Sequence, residues 1–453
     1  MIKKSTLIVL LCALVLGGAV YYFQWRSTKI VKPSEDTSKL AFSMQADDIT
    51  SLTVSHPGKA DQPPIRIDFH NGAWSIMQPL DTGADTAAVR AITDGLAAAR
   101  ISQTEPGAPD RLKAYGLAPP HVSLEFQVKS GAKHTVLLGD KDFTGISVYS
   151  VIDAGKDVSL LPLSLFTSAD KALDDLRDRN VLHIDSGKVA SFQLKNSSGE
   201  LSAAKQARKD QTQWKFTKPG GDVLADTASV DALLSAVGST KMTSIASETP
   251  DNLAKYGLSN PAVVFSAVDD SGQKLALQVG KKEGSGYLAR DTSRPMIFVI
   301  SEDLYKKLSQ TFPDLRDRNL VHITESDINH IEIHNANATM AMSRKQGSDF
   351  DWTIDSPADV KGKSAATWRI LSPLTSAKAE EVLDHASGDI AAKLAKPAIE
   401  IELTDKNGSK LTVRISAAAG DFVYGQTTAG PSVYKFKKTA FDDLNFKASD
   451  LAS

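Results

Sequence analysis

The chain has 453 residues, 42% hydrophobic, 23% charged and 7% aromatic, with 52 Lys plus Arg against 54 Asp plus Glu. These fractions fit a globular protein and exclude a collagen-like, largely disordered or polytopic membrane chain. The near-even charge gives nucleic acid no electrostatic hold, and the single cysteine, Cys12, excludes an intramolecular disulfide and a Cys-based zinc site.

Lys3 and Lys4 precede an uncharged run from Ser5 to Gln24. Within it Thr6 to Phe23 would span roughly 27 Å as a helix, close to the hydrocarbon thickness of a bilayer. Tyr21, Tyr22 and Trp25 then read as an interfacial aromatic belt, with Arg26 just outside it. A cleaved secretory signal is the competing reading, because Gly17, Gly18 and Ala19 offer small residues near its end. Bulky Tyr21, Tyr22 and Phe23 come directly after them and favour an uncleaved signal-anchor. Residues 1–28 are therefore expected to be a cytoplasmic tip and transmembrane helix, with everything beyond Arg26 on the far side. Residues 29–39 are polar, contain Pro33, and read as a tether. The chain beyond Thr28 carries a net charge of −5, so attachment to anionic lipid would rest on the single helix.

The remainder reads as one unit written three times, over residues 40–179, 180–318 and 319–453. Asp175-Leu176-Arg177-Asp178-Arg179-Asn180 recurs as Asp314-Leu315-Arg316-Asp317-Arg318-Asn319, 139 residues on. His183 and His322 stand at matching positions just beyond. Tyr115-Gly116-Leu117 recurs as Tyr256-Gly257-Leu258, and Trp74, Trp214 and Trp352 are spaced by 140 and 138 residues. Each Trp leads an alternating stretch into Pro79, Pro219 or Pro357. The last copy is degenerate: Ala391 to Pro397 stands in for the Tyr-Gly-Leu segment and Asp442-Asp443-Leu444-Asn445 for the Arg-rich junction. A terminal copy has no successor to contact, so its junction is free to diverge.

Within the first copy, Ile49–Val54, Ile65–Phe69 and Trp74–Ile76 alternate as half-buried antiparallel strands, with Asn71-Gly72 as a hairpin turn. Asp85 caps a helix running to about Arg100, in which Val89, Ile92 and Leu96 share one face. A short helix from Pro109 ends at Gly116 in a left-handed cap. Strands come next at Val122–Phe126, Thr135–Gly139, Ile146–Tyr149 and Val158–Leu160, then a helix from Pro162 to Arg177. The fold class is α+β: three tandem antiparallel sheets with a few helices against each, after one N-terminal transmembrane helix. No βαβ alternation supports a Rossmann or barrel enzyme.

Candidate chemistry is sparse. Gly280 to Gly286 is glycine-rich and basic but lacks Walker spacing and a following helix, so a hairpin loop accounts for it. His330, Glu332 and His334 share one face of a strand and could hold a divalent ion for a metal-dependent hydrolase. Ser191, Gln193 and Lys195 occupy the matching face one copy earlier, an ordinary solvated pattern. Asp47-Asp48 and Asp269-Asp270 point to opposite faces and do not converge as an acid/base couple. The junction residues Arg177, Asp178, Arg179, Asn180, His183, Arg316, Asp317, Arg318, Asn319 and His322 resemble carboxylate or phosphate clamps. Their recurrence is explained more simply by ion pairs between copies. Trp74, Tyr115, Gly116, Trp214, Tyr256, Gly257 and Trp352 read as structural landmarks of the core.

The anchor, the Trp-then-Pro hairpin, Tyr115-Gly116-Leu117-Ala118-Pro119, Tyr256 to Pro261, and the two Leu-Arg-Asp-Arg-Asn junctions together resemble the bacterial domain-of-unknown-function family 4340. That resemblance carries over no catalytic residue, metal or cofactor. It implies a bacterial envelope protein of the inner membrane, N-terminus in the cytoplasm and bulk in the periplasm. Because some members lie near transporter components resembling the gliding-motility ABC system, it also implies an accessory role beside an ABC-type transporter. The expectation is a non-enzymatic, membrane-anchored scaffold or binding protein with a protein partner and no cofactor. The alternative is a glycan- or lipid-binding accessory protein using grooves between copies.

Overall fold

Period-two alternation is strong enough in this sequence to build most of the structure. In Ile49–Ser55 it buries Ile49, Leu52 and Val54, and in Ile65–His70 it buries Ile65 and Ile67. The computed structural model describes residues 39–208, 211–220, 223–348 and 351–452. The expected anchor, residues 1–28, and the tether up to Ser38 lie outside the described residues. Among the described residues no helix is long and apolar enough to cross a membrane. The chain is α+β and divides into two compact units, one ending at Arg179 and one starting at Asn180.

The strands of the first unit are β1 (Lys39–Leu40), β2 (Ile49–Ser55), β3 (Ile65–His70), β4 (Ala73–Gln78), β5 (Thr82–Gly83), β6 (Arg100–Ile101), β7 (Gln103–Pro106), β8 (Val122–Val128), β9 (Lys133–Lys141), β10 (Ser147–Ile152) and β11 (Asp157–Pro162). β1 pairs with β6, and the others form an antiparallel sheet in the order β5-β4-β3-β2-β8-β9-β10-β11-β7. The β3–β4 hairpin turns at Asn71 and Gly72, whose φ of 51° and 83° are those of a primed turn. Helix α1 (Thr86–Ala98) starts where the Asp85 carboxylate accepts from the amides of Ala87 and Ala88 at 3.0 and 3.1 Å. It buries Val89, Ile92 and Leu96 against the sheet in one core with Trp74, Phe126 and Leu176.

A smaller cluster forms around Leu117, Val151 and Val158, against which the segment after helix α2 (Pro109–Ala114) packs. Tyr115 stacks on Tyr149 with centroids 4.0 Å apart, and Gly116 adopts the left-handed φ of 63° expected of a helix-ending glycine. The segment lies so close to β9 that a Cβ on Gly139 would sit 2.1 Å from the Tyr115 carbonyl oxygen. Only glycine fits there. The single closing helix expected over Pro162 to Arg177 is instead two, α3 (Leu163–Ala169) and α4 (Leu173–Leu176). The chain breaks at Asp170-Lys171-Ala172, where buried His56 meets the Asp170 carboxylate at 3.1 Å.

The second unit holds two more sheets. The first contains β12 (Val189–Asn196), β13 (Gly199–Arg208), β14 (Gln211–Lys218), β15 (Ser244–Ser247), β16 (Val263–Asp269), β17 (Lys274–Glu283), β18 (Gly286–Asp291) and β19 (Ile297–Ser301). The other contains β20 (Ile328–His334), β21 (Thr339–Arg344), β22 (Trp352–Ser356), β23 (Glu381–Leu383), β24 (Ile399–Asp405), β25 (Lys410–Ile415), β26 (Phe422–Thr427) and β27 (Val433–Lys437). Their orders are β14-β13-β12-β16-β17-β18-β19-β15 and β22-β21-β20-β24-β25-β26-β27-β23. Both repeat the order of the large sheet in the first unit, which adds only β5. The first of the two carries α5 (Thr227–Ser239), α6 (Glu302–Leu308) and α7 (Phe312–Leu315), the second α8 (Trp368–Ser376), α9 (Gly388–Ala395) and α10 (Ala448–Leu451). Each has its own core, built around Trp214 and Phe265 in one and Trp352 and Phe436 in the other.

The last sheet corrects one expectation from sequence. Leu176, Leu315 and Leu451 are all fully buried, and their carbonyls accept from the amides of Asp85, Asp226 and Ala366 at 2.8, 2.8 and 2.9 Å. Asp450-Leu451-Ala452 therefore stands where Asp175-Leu176-Arg177 and Asp314-Leu315-Arg316 stand. Asp442 to Asn445 belongs to an earlier turn, and the arginine position is taken by Ala452. Trp214, only 1% exposed, is the largest side chain in the core of its sheet. Trp214→Ala should cost about 3–5 kcal/mol, read as loss of the corresponding unfolding transition in urea, whereas half-exposed Phe69→Ala should leave its own unit nearly unchanged.

Candidate functional site

The recurrent Arg-Asp-Arg-Asn stretches lie where one sheet's last short helix releases the chain. In the first unit, Arg177 forms an isolated β-bridge with Ala84, and the Asp178 amide donates to the Gly83 carbonyl at 2.8 Å. Arg177 and Asp178 are 3% and 6% exposed, so neither reaches into solvent. The Arg177 guanidinium lies 3.5 Å from the Asp174 carboxylate one turn back. Arg179 is half-buried.

In the second unit the same backbone geometry recurs, with Arg316 bridged to Ala225 and the Asp317 amide donating to the Leu224 carbonyl at 3.0 Å. The Arg316 guanidinium is buried and meets the Asp384 carboxylate at 2.8 Å, the Val382 carbonyl at 3.4 Å and the Ser432 hydroxyl at 3.3 Å. It also lies over the Phe312 ring at 5.5 Å. One arginine thus ties the end of the first sheet of this unit to two turns of the second, and its charge is fully engaged in doing so. Asp317 accepts from the Asn319 amide at 2.7 Å and from His322 Nε2 at 3.2 Å. Asn319 bridges to Lys378, and the Arg318 carbonyl accepts from the Ala379 amide. Asn180 similarly bridges to Lys241, with its side chain 3.4 Å from His183 Nε2.

Sequence reasoning did not find the partners. Arg294 donates from Nη2 to the Asn180 and Val181 carbonyls at 2.6 and 3.0 Å and from Nε to Asp291 at 3.0 Å. Lys378 reaches the Asp226 carboxylate at 2.8 Å. Asp226 caps α5 by accepting from the Ser229 amide at 2.9 Å, and nothing near it in sequence points to Lys378. Burial pushes the Asp226 carboxyl up, but hydrogen bonds from Lys378 and Ser229 outweigh it and hold it below the ordinary value of 3.8. Tyr434 is pushed up by burial and by the Asp317 charge, with Arg316 opposing.

Two grooves flank this contact inside the second unit. One of about 700 Å³ is lined by Lys306, Gln310, Arg316, Arg318, Glu380 and Glu381 among others. The other, about 520 Å³, is lined by Asp226, Thr227, Asp317, Asn319, His322 and Lys378 among others. Both are polar and carry charges of both signs, and most of these are already matched: Glu381 with Lys435 at 3.4 Å, Glu380 with Lys437 at 3.6 Å, Lys306 with Glu302 at 3.4 Å. The buried Gln310 Oε1 has no hydrogen-bond partner among the described residues.

The remaining candidates do not gather at this place. His330, Glu332 and His334 share the expected strand face, but His330 bonds Ser343 and Glu332 at 2.9 and 3.2 Å and His334 bonds Thr339 at 3.1 Å. Among the described residues no group of three or more His, Cys, Asp or Glu side chains is arranged to hold a metal ion. Trp74, Trp214 and Trp352 are buried, Gly257 repeats the left-handed turn of Gly116 with φ of 71°, and Tyr256 packs on Leu258, Leu288 and Ile297.

The family described as Domain of unknown function (DUF4340) matches residues 74–221 and, again, residues 214–350. The chain belongs to this family. Each DUF4340 match begins on a landmark tryptophan, Trp74 or Trp214, and the two matches overlap where the second begins. No curated protein matches the chain.

Two outcomes are expected around the Arg316 contact. Arg316→Ala should lower the stability of the second unit by about 2 kcal/mol through lost charge-assisted bonds, measured by urea denaturation. Asp226 favours the folded state fully above pH 3.8, and that contribution is lost as pH falls below 3.8 through its lower folded value. Lys378→Met should therefore flatten the acid-side decline in stability, and an unchanged pH profile would count against the Lys378–Asp226 pair.

Proposed function

We propose that this protein is a non-enzymatic, membrane-anchored extracytoplasmic scaffold. In this reading three copies of one α+β unit, residues 40–179, 180–318 and 319–453, present surface to another envelope component such as an ABC-type transporter. One observation carries the reading: the polar residues that recur most faithfully are engaged in holding sheets closed and, within the second unit, joined. Arg316 ties two sheets together, Asp317 holds Asn319 and His322, and Arg177 and Asp178 are buried. What recurs is architecture, while the hairpin tips differ: 142–146 holds Phe143 and Ile146, and its counterpart holds Glu283-Gly284-Ser285. Such an array offers extended surface and reach. The apolar run from Ser5 to Gln24, with Lys3 and Lys4 before it, supplies the attachment to the bacterial inner membrane and sets the orientation.

A glycan- or lipid-binding role for the 700 Å³ groove is the second reading, favoured by the unsatisfied Gln310 Oε1 beside it. The burial of Arg316 weighs against it, because the arginine that would capture the ligand is occupied within the protein.

The test of the main reading is fractionation of cells making the full chain with a C-terminal tag. The protein should stay in the membrane pellet through alkaline carbonate and should be digested by protease added to spheroplasts. Recovery in the cytosol, or protection from that protease, would overturn it.

A further inference from the structure

The β9–β10 hairpin of the first unit ends in a tip, residues 142–146, that holds two large apolar side chains in water. Phe143 is 96% exposed and Ile146 73%. A floppy loop would leave such side chains free to fold back, but this one is fastened. The buried Asp142 carboxylate accepts from the Thr144 hydroxyl and from the amides of Gly145 and Ser147 at 3.1 and 3.0 Å. The Asp142 amide donates to the Ser147 carbonyl, and the Leu163 amide to the Ile146 carbonyl. Hydrogen bonding from Thr144, with the backbone bonds adding to it against burial, holds the Asp142 carboxyl below 3.8, so the clasp stays charged at neutral pH. The fold therefore fixes two apolar groups pointing outward.

The feature is peculiar to the first sheet. At the corresponding tips of the other two sheets stand Glu283-Gly284-Ser285 and Ala417 to Asp421, and Trp368 is the one strongly exposed large apolar residue of the second unit among those described. It is also placed near the point where the chain comes in. Lys39 pairs with Ile101, Ser102 donates to the Leu160 carbonyl, and Pro162 pairs with Ser147 at the base of the tip. Lys39 and the tip are thus about three strand spacings, roughly 15 Å, apart on the same end of the sheet. Exposed Leu40 lies beside that path, 42% exposed. The fourteen residues from Trp25 to Ser38 separate Lys39 from the apolar N-terminal run and reach at most about 50 Å. A bilayer holding that run lies within reach of the tip.

We propose that the 142–146 tip is a second membrane contact, in which Phe143 and Ile146 insert into the outer leaflet of the bilayer that holds the N-terminal segment. The occupant is lipid: the partner must accept two apolar groups on a narrow projection, and exposed Lys141 at its base suits the phosphate layer. This proposal rests on the membrane-anchored reading, and its test separates the two.

Full-length protein carrying Cys12→Ser, with either Phe143→Cys or Ser285→Cys, is labelled with an environment-sensitive nitrobenzoxadiazole probe. It is then reconstituted in phosphatidylcholine–phosphatidylglycerol vesicles with and without spin-labelled lipid. The probe at 143 should emit to the blue of the probe at 285 and be quenched by headgroup-proximal spin label, while the probe at 285 should do neither. Adding Asp142→Ala to the 143 variant reports the clasp, because releasing it should reduce the blue shift without detaching the protein. If the protein floats with vesicles after an alkaline wash yet both probes stay water-like, the tip proposal fails and the anchor stands; a protein pocket then becomes the occupant to seek. If the protein does not float, the anchored reading falls and the tip proposal with it.

Discussion

The structure depends on one backbone return. In each large sheet the chain leaves the first hairpin, turns into a helix, adds further strands, and ends in a buried leucine whose carbonyl accepts from an amide at the start of that helix. Leu176 with Asp85, Leu315 with Asp226 and Leu451 with Ala366 are the same closure at 2.8 to 2.9 Å. The amide would otherwise be left without an intrahelical partner at a half-buried helix start. The closure therefore fixes both the first and the last element of a sheet with one contact. It also explains why the Asp-Leu pair at 175, 314 and 450 persists after the neighbouring arginine is lost. The Asp caps its own short helix from the third position, at 3.1, 2.8 and 2.9 Å from the amides of Ala172, Thr311 and Lys447.

The residue after that leucine is an arginine at 177 and 316 and an alanine at 452. Arg316 precedes another sheet and spends its guanidinium on Asp384, Val382 and Ser432 of that sheet. A buried guanidinium needs several acceptors to offset its desolvation, and Val382, Asp384 and Ser432 supply them to Arg316. A second clamp has the same logic: Asn196 donates to the carbonyls of Leu308 and Gln310, and Asn335 to those of Leu444 and Phe446. Each pins the segment after a sheet to the end of its central strand.

Much of this was legible in the sequence, for physical reasons. Strands with one buried face alternate, so β2, β3, β8 and β9 could be placed by period alone; Asp85 announced its helix and Gly116 its left-handed turn. Tandem landmarks exposed the register between Trp74 and Trp214. The failures have a common cause. The break between α3 and α4 lies where His56 meets Asp170, a contact 114 residues apart in sequence. The true place of the last junction is set by Leu451 returning to Ala366, with no arginine left to mark it. Lys378, Asp384 and Arg294 act through pairs of distant residues, which leave no local pattern. The exposed Phe143 and Ile146 look like ordinary strand-edge apolar residues until the Asp142 clasp turns them outward.

All the large sheets are closed by one equivalent backbone bond, and amide hydrogen exchange on the full-length protein reads it directly. The amides of Asp85, Asp226 and Ala366 should exchange with the slow core of their own sheets, near the rates of β2, β12 and β20. Exchange of any of them at the rate of the exposed 142–146 tip would contradict the common closure.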